Sequence, residues 1–181
     1  MELVTARLRI DALRPDDAAA LFACRADPAV ARYQGWRPAD VAAAREFIAA
    51  QPLQPAHGWF QRAIRLREDG RLIGDLGVNL PEDARDSVEF GISIAPAGQG
   101  RGYAGEAVRA VFEQVFGPCG RHRVHASVDP RNLACMALLR GLGMRQEAHH
   151  RESLWLRGEW VDDVIFALLA REWQATERHR G

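Results

Sequence analysis

The stretch "QGRGYAGEA", residues 99–107, constrains the fold more than any other part of this chain. It follows "SVEFGISI" (87–94), which reads as a strand. It opens "YAGEAVRAVFEQVFG" (103–117), which reads as a helix: Ala107, Val108, Val111, Phe112 and Val115 share one face, and Gly117-Pro118 stops it. A strand that passes into a helix through a glycine-rich turn lets backbone N–H groups approach and point at an anion. The helix N-terminus adds favourable potential. The stretch therefore predicts a phosphate-binding turn.

The flanking segments set the context. "RLRIDAL" (7–13) alternates as a strand. "RPDDAAALFACRADP" reads as a helix, with Pro15 and two aspartates near its start and Pro28 after its end. "RYQGWRP" (32–38) is a loop, and "ADVAAAREFIAAQ" a second helix closed by Pro52. "HGWFQRAIRL" and "RLIGDLGVNL" read as strands joined by a turn at Glu68-Asp69-Gly70, and "PEDARD" is a polar connection. After the glycine-led helix, "HRVHASV" is a strand. "LACMALLRGLG" is a helix with Asn132 at its N-cap and Gly143 past its end. "QEAHHRESLWLRGEW" and "VDDVIFALL" predict a closing antiparallel pair, and "AREWQATERHRG" a helical tail that frays. The order β-α-α-β-β-β-α-β-α-β-β describes one mixed α/β domain over residues 1–181.

Composition narrows the function classes. At 181 residues and 48% hydrophobic the chain can bury a proper core. Its net charge is zero, so no global field favours nucleic acid, although every basic residue is arginine. No apolar stretch is long enough to span a bilayer, and "MELVTARLRI" lacks a signal-peptide pattern. Cys24, Cys119 and Cys135 form an odd set without metal-like spacing, which fits free thiols in a reducing cytoplasm. His122-x-x-His125 and His149-His150 have no cysteine or carboxylate cluster beside them, so no metal is expected.

Which phosphate the turn holds has two answers. Gly100-x-Gly102-x-x-Gly105 matches the dinucleotide fingerprint, and Asp129 ends the next strand near the spacing of a ribose-binding acid. Against this, Ala95-Pro96-Ala97-Gly98-Gln99 intervene between strand and first glycine. Several elements precede the motif, and the antiparallel-looking tail leaves little room for a second mononucleotide half. The other answer accounts for more. "FGISIAPAGQGRGYAGEAV", "VDPRNLACMALLRGLGM" and "RGEWVDDVIFALLAREW", with the opening "RLRI" and "DDAAALFACRADPAVARY", resemble in order the GNAT superfamily of N-acetyltransferases, most closely its RimJ/RimL-type branch. The resemblance covers nearly the whole chain. It implies a single mixed, mostly antiparallel twisted sheet flanked by helices, acetyl-CoA as co-substrate and a primary amine as acceptor.

The resemblance also implies site residues. The strand Ile92-Ser93-Ile94 would pair its backbone with the pantetheine arm. Gln99, Gly100, Arg101, Gly102, Tyr103 and Ala104 would surround the pyrophosphate, with Arg101 equally readable as a solvated surface arginine. Asn132 would bond the pantetheine, in addition to capping its helix. Glu89 is the candidate base, on the same strand face as Gly91 and Ser93. Glu152, His149 and His150 are alternatives. The branch's serine three residues after the asparagine is here Cys135, which reads either as a proton donor to the leaving thiolate or as a small buried hydrophobe. A tyrosine acid used outside the branch is replaced by Leu139. Direct attack on the thioester needs no acyl-enzyme. A protein α-amine has a pKa near 8, so neutralising it near pH 7 costs only roughly 1–1.5 kcal/mol and a modest base or water relay suffices.

The acceptor the resemblance implies is a protein N-terminal amine or a small-molecule amine; branch members acetylate ribosomal-protein N-termini, others act on polyamines, amino acids or antibiotics, and nothing in the sequence selects among them. Tyr33, Trp36 and Trp155, with Trp59 and Phe60, are the aromatic candidates for its cleft. A homodimer is compatible with exposed strand edges, and neither nucleic acid nor membrane is an expected partner. Two alternatives stay open: a non-catalytic acyl-CoA sensor, and a dinucleotide-binding oxidoreductase.

Overall fold

The structure is a computed structural model that describes residues 1–83 and 85–178. Its strands are β1 (Leu3–Val4), β2 (Leu8–Ala12), β3 (Gly58–Leu66), β4 (Leu72–Leu80), β5 (Val88–Ile94), β6 (Arg123–Val128), β7 (Arg145–Leu156) and β8 (Glu159–Leu169). Its helices are α1 (Ala18–Ala26), α2 (Pro28–Ala31), α3 (Val41–Ala49), α4 (Tyr103–Phe116), α5 (Leu133–Gly141) and α6 (Ala170–Arg178). The strands form one sheet in the order β1-β2-β3-β4-β5-β6-β8-β7. Every neighbouring pair is antiparallel except β5 and β6, which α4 connects in parallel. This is the mixed, mostly antiparallel sheet flanked by helices that the resemblance implied.

Three local readings need correction. Pro28 does follow α1, but it also opens α2. Asp27 caps that helix by accepting from the N–H groups of Ala29 and Val30, so the same residues read as both stop and start. The closing hairpin turns at Arg157-Gly158, three residues earlier than the split between "RGEW" and "VDDV" suggested. Both turn residues sit at positive φ (54° and 85°), the backbone that matches hairpin twist. The tail does not fray over its described length: Trp173 of α6 is buried and meets Phe112 edge-on at 5.5 Å. Residues 179–181 lie outside the described residues. β1 is an addition that the sequence pattern did not show.

One face of the sheet packs against α4 and α6 through Ile10, Ile64, Leu76, Val88, Phe90, Val108, Phe112 and Phe166, all buried. The face opposite carries α1 and α3, which enclose Leu21, Ala44, Ile48 and Ala63. Two buried charge clusters pin that second layer. Arg25 of α1 donates from Nε (2.9 Å) and Nη2 (2.5 Å) to Asp75 of β4. Arg65 of β3 donates to Asp11 of β2 (2.7 Å) and, from two nitrogens, to Asp17 in the turn before α1 (2.6 and 2.7 Å). Burial alone would raise the Asp17 carboxyl, but the Arg65 hydrogen bond and charge outweigh it and hold its pKa below the ordinary value. Among the described residues no helix is long and apolar enough to cross a membrane.

Arg25→Met leaves the Asp75 carboxylate buried and unpaired, so it should destabilise the fold by about 3–5 kcal/mol in urea unfolding. The double variant Arg25→Met/Asp75→Leu, which removes both charges, should recover much of that loss. Equal stabilities of wild type and single variant would show that the pair contributes nothing.

Candidate functional site

The site begins where the sheet stops being a sheet. β5 and β6 pair only at Val88↔Val124 and Glu89↔His125. Beyond that they separate, although β5 keeps its antiparallel partner β4 from Asn79↔Glu89 to Gly74↔Ile94 and β6 keeps β8 along its whole length. The facing edges of Phe90–Ile94 and Ala126–Val128 therefore have no neighbour in the plane of the sheet. They line a cleft of about 590 Å³, closed at one end by the glycine turn and the start of α4 and on its sides by α5 and the segment from Ala29 to Gln34.

The turn leaves the start of α4 without a side-chain cap. Gly100 and Gly102 sit at φ 72° and 79°, a left-handed backbone that glycine adopts without strain. Gly102 is the N-cap of α4 and supplies no side chain, so the leading N–H groups of the helix have no capping acceptor. The N-terminal strand layer braces this turn. Arg7 Nη1 donates to the Arg101 carbonyl (3.0 Å), its Nε donates to Glu106 Oε2 (2.7 Å), and its guanidinium lies 4.6 Å over the Tyr103 ring. Glu106 also accepts from Thr5 Oγ1 (2.5 Å) and the Arg7 N–H (2.8 Å). Desolvation raises the Glu106 pKa, but these bonds from Thr5 and Arg7 outweigh it and lower it.

Ile92, Ser93, Ile94, Gln99, Gly100, Gly102, Tyr103, Ala104, Asn132, Cys135 and Tyr33 all line the cleft. Gln99 Nε2 donates back to the Ile94 carbonyl (2.9 Å), which fixes the corner between strand and turn. Asn132 Oδ1 accepts from the Cys135 N–H (3.1 Å) as the α5 cap, so its Nδ2 hydrogens remain for another partner. Burial pushes the Cys135 thiol up to about 11, so it stays protonated at neutral pH. Tyr33 Oη donates to the Arg131 carbonyl (3.1 Å), drawing the loop after α2 against the loop before α5. Asp129, the ribose candidate of the dinucleotide reading, is held by Nε and Nη2 of Arg131 (3.0 and 2.6 Å).

Other expected residues fall outside the cleft wall. Trp36 stacks on Phe47 with ring centroids 4.1 Å apart and packs on the α1–α3 layer. Trp155 and Trp160 pair at 5.2 Å at the tip of the β7–β8 hairpin, where both are exposed. Phe60 is core, and Trp59 is exposed on the other side of the sheet order. Arg101 is exposed and contributes only its carbonyl to the bracing. His149 bonds Asp162 (2.7 Å) and Glu152 donates its N–H to the same carboxylate (2.9 Å). Both lie on the outermost strand, as does His150, with β8 between them and β6.

Glu89 stands at the point where β5 and β6 part. His125 Nε2 lies 3.7 Å from its carboxylate, and His125 Nδ1 is 2.8 Å from Ser87 Oγ. Burial lowers the His125 pKa and prevails over Glu89, which raises it; Arg123 adds to the lowering. The imidazole is thus held toward its neutral form. On the same face Ser127 Oγ donates to Asp163 (2.6 Å). His125 and Arg7 were not singled out for these contacts. Nothing local in the sequence could have found them, because their partners lie up to 99 positions away. Among the described residues no group of three potential ligands is arranged to hold a metal.

The sequence profile of the acetyltransferase (GNAT) domain matches residues 7–145. The uncharacterized N-acetyltransferase p20 of Bacillus licheniformis is 30% identical over 94% of this chain and 97% of its own length. The crystal structure of a GNAT-family acetyltransferase from Bacillus anthracis superposes with a TM-score of 0.85 at 22% identity, covering 94% of this chain and 99% of that one. Mycobacterium smegmatis RimJ, solved in complex with CoA-disulfide, superposes with a TM-score of 0.77 at 23% identity over 94% and 90% of the two chains.

Gly102→Ala puts a Cβ on a left-handed residue and 3.4 Å from Arg7 Nη2. Titration calorimetry should show CoA binding weakened about tenfold, roughly 1.4 kcal/mol. Gly141→Ala, where the added Cβ meets open space, serves as the control and should bind CoA like the wild type.

Proposed function

The chain belongs to the GNAT acetyltransferase family, and from that premise we propose that it acetylates a primary amine, a protein N-terminal or small-molecule amine, by direct attack on acetyl-CoA with Glu89 as base. The observation that carries this reading is the split between β5 and β6: Glu89 belongs to the last β5–β6 pair, just outside the residues that line the cleft, and from it an unpaired strand edge leads to the glycine turn. The fit with CoA is chemical. A pantetheine arm carries amides that suit the bare edge of Phe90–Ile94. A pyrophosphate suits the uncapped N-terminus of α4 and the positive-φ glycines.

In this reading the chain's residues have separate tasks. The β5 edge and the turn orient the thioester that acetyl-CoA supplies. Glu89, directly or through a water, takes the proton as the amine nitrogen forms the amide bond and the carbon–sulfur bond breaks. Neutral His125 sits between Glu89 and Ser87 and adds no cation that would weaken Glu89 as a base. Cys135 keeps its proton, so it donates a hydrogen bond to the departing sulfur and does not serve as a thiolate nucleophile.

Two measurements test the proposal. Acetyl-CoA at 100 times its dissociation constant should stabilise the protein by roughly 2.7 kcal/mol in thermal unfolding, and NADPH should not; the reverse would make the glycine turn a dinucleotide site. Glu89→Gln should lower kcat with a found acceptor by about 10²–10³-fold while CoA affinity holds. Unchanged turnover across pH 6–9 would remove Glu89 from the role.

A further inference from the structure

Two arms flank the split, and each is anchored away from it. On one side Asp75 is the Cα partner of Ser93 across β4 and β5. Arg25 of α1 binds Asp75, and its Nη1 donates to Gln34 Oε1 at 2.7 Å. Gln34 is thereby fastened to the β4–β5 arm, and Tyr33 is its neighbour in the chain. On the other side Asp129 follows the last residue of β6. It accepts from the Arg131 backbone N–H (2.8 Å) and from the Arg131 guanidinium, which also reaches Glu159 of β8 at 3.0 Å. Arg131 is thereby fastened to the β6–β8 arm.

One contact joins the two arms across the open end. Tyr33 Oη donates to the Arg131 carbonyl at 3.1 Å, and both Tyr33 and Asp129 line the cleft. Among the described residues no other hydrogen bond runs between residues 18–36 and 123–141. Arg32 pulls in the same direction. Its guanidinium lies 5.3 Å from the centre of the Tyr33 ring. Desolvation raises the Asp129 pKa, but the Arg131 bonds outweigh it, and the Arg32 charge adds to the lowering. A cation beside Tyr33 therefore attracts the anion at the end of β6. On the other face of the sheet, α4 and α5 are in contact.

Such a tie has a task, because bare strand edges do not hold a distance by themselves. Neighbouring strands lie about 4.8 Å apart, so a chain that is to lie between β5 and β6 needs roughly twice that. Edges left free pair with each other or splay, and a ligand then loses affinity by resetting them. A tyrosine ring turns on only two side-chain angles, so it makes a short, rigid strut.

We propose that the Tyr33–Arg131 contact fixes the width of the β5–β6 split before acetyl-CoA enters, so that Tyr33 is a positioning residue for the cofactor and not a contact for the acceptor amine. The inference rests on the cofactor part of the reading above and does not depend on Glu89. Tyr33→Phe removes the hydrogen bond and keeps the ring that Arg32 packs on, so the fold is retained.

The test pairs CoA titration calorimetry with hydrogen–deuterium exchange on the ligand-free protein, for wild type, Tyr33→Phe, Arg131→Ala and the double variant. Tyr33→Phe should weaken CoA binding about 3–10-fold, the range of one neutral hydrogen bond, and speed exchange in segments 90–94 and 126–135 by a similar factor. The β3–β4 hairpin should exchange as in wild type. Arg131→Ala keeps the carbonyl but loses the guanidinium bonds to Asp129 and Glu159, so it should act in the same direction. The double variant should lose little more than either single one, because both break one connection. Weaker CoA binding with unchanged exchange would mean that Tyr33 touches the cofactor directly, and it overturns the tie. So do additive losses in the double variant, or faster exchange throughout the protein, which general destabilisation would give. If wild type binds no CoA, the cofactor reading itself fails, whereas equal CoA binding by wild type and Tyr33→Phe overturns the tie alone.

Discussion

Everything in this molecule is arranged around two strands that meet for two residue pairs and then part. A parallel pair in the middle of an otherwise antiparallel sheet needs a crossover, and α4 supplies it. Because β4 holds β5 and β8 holds β6, each strand of the split is kept straight by its outer neighbour while its inner edge is left bare. Bare strand edges are normally covered or blunted. Here the bare edges face one another across a cleft, where a ligand's amides can take their place.

The second layer turns this geometry into a site. Arg25 and Arg65 carry their charges into the interior because each is matched by carboxylates in bidentate or forked geometry. Such pairs add little net stability over apolar packing, but breaking one is costly, so they fix register and orientation. Arg25 thereby sets the position of α1 on β4 and the direction of the Gln34 amide. Arg7 does the comparable work at the other end, tying β2's approach to the glycine turn through Glu106.

Periodicity sufficed for most of the fold. The face of α4, the β3–β4 hairpin and the strand–turn–helix at 87–117 follow from residue order, because each depends on contacts a few positions apart. The misread places are those where distant packing decides. α6 looked like a free tail until Phe112 gave Trp173 a partner, and the β7–β8 turn moved to where two positive-φ residues fit the twist. Among the aromatics, Tyr33 reaches the cleft while Trp36 goes to the α1–α3 layer, a choice that loop composition does not encode.

The sequence by itself determined the glycine turn, the cap at Asn132 and the presence of a carboxylate on the strand leading to them, because glycine conformations, capping and period two are local properties. Only the tertiary structure decided what those pieces face. It set Glu89 beside His125, oriented Gln34 through a buried arginine, and left the Ser93 hydroxyl without a partner, since these depend on where two strands diverge and which helix covers them.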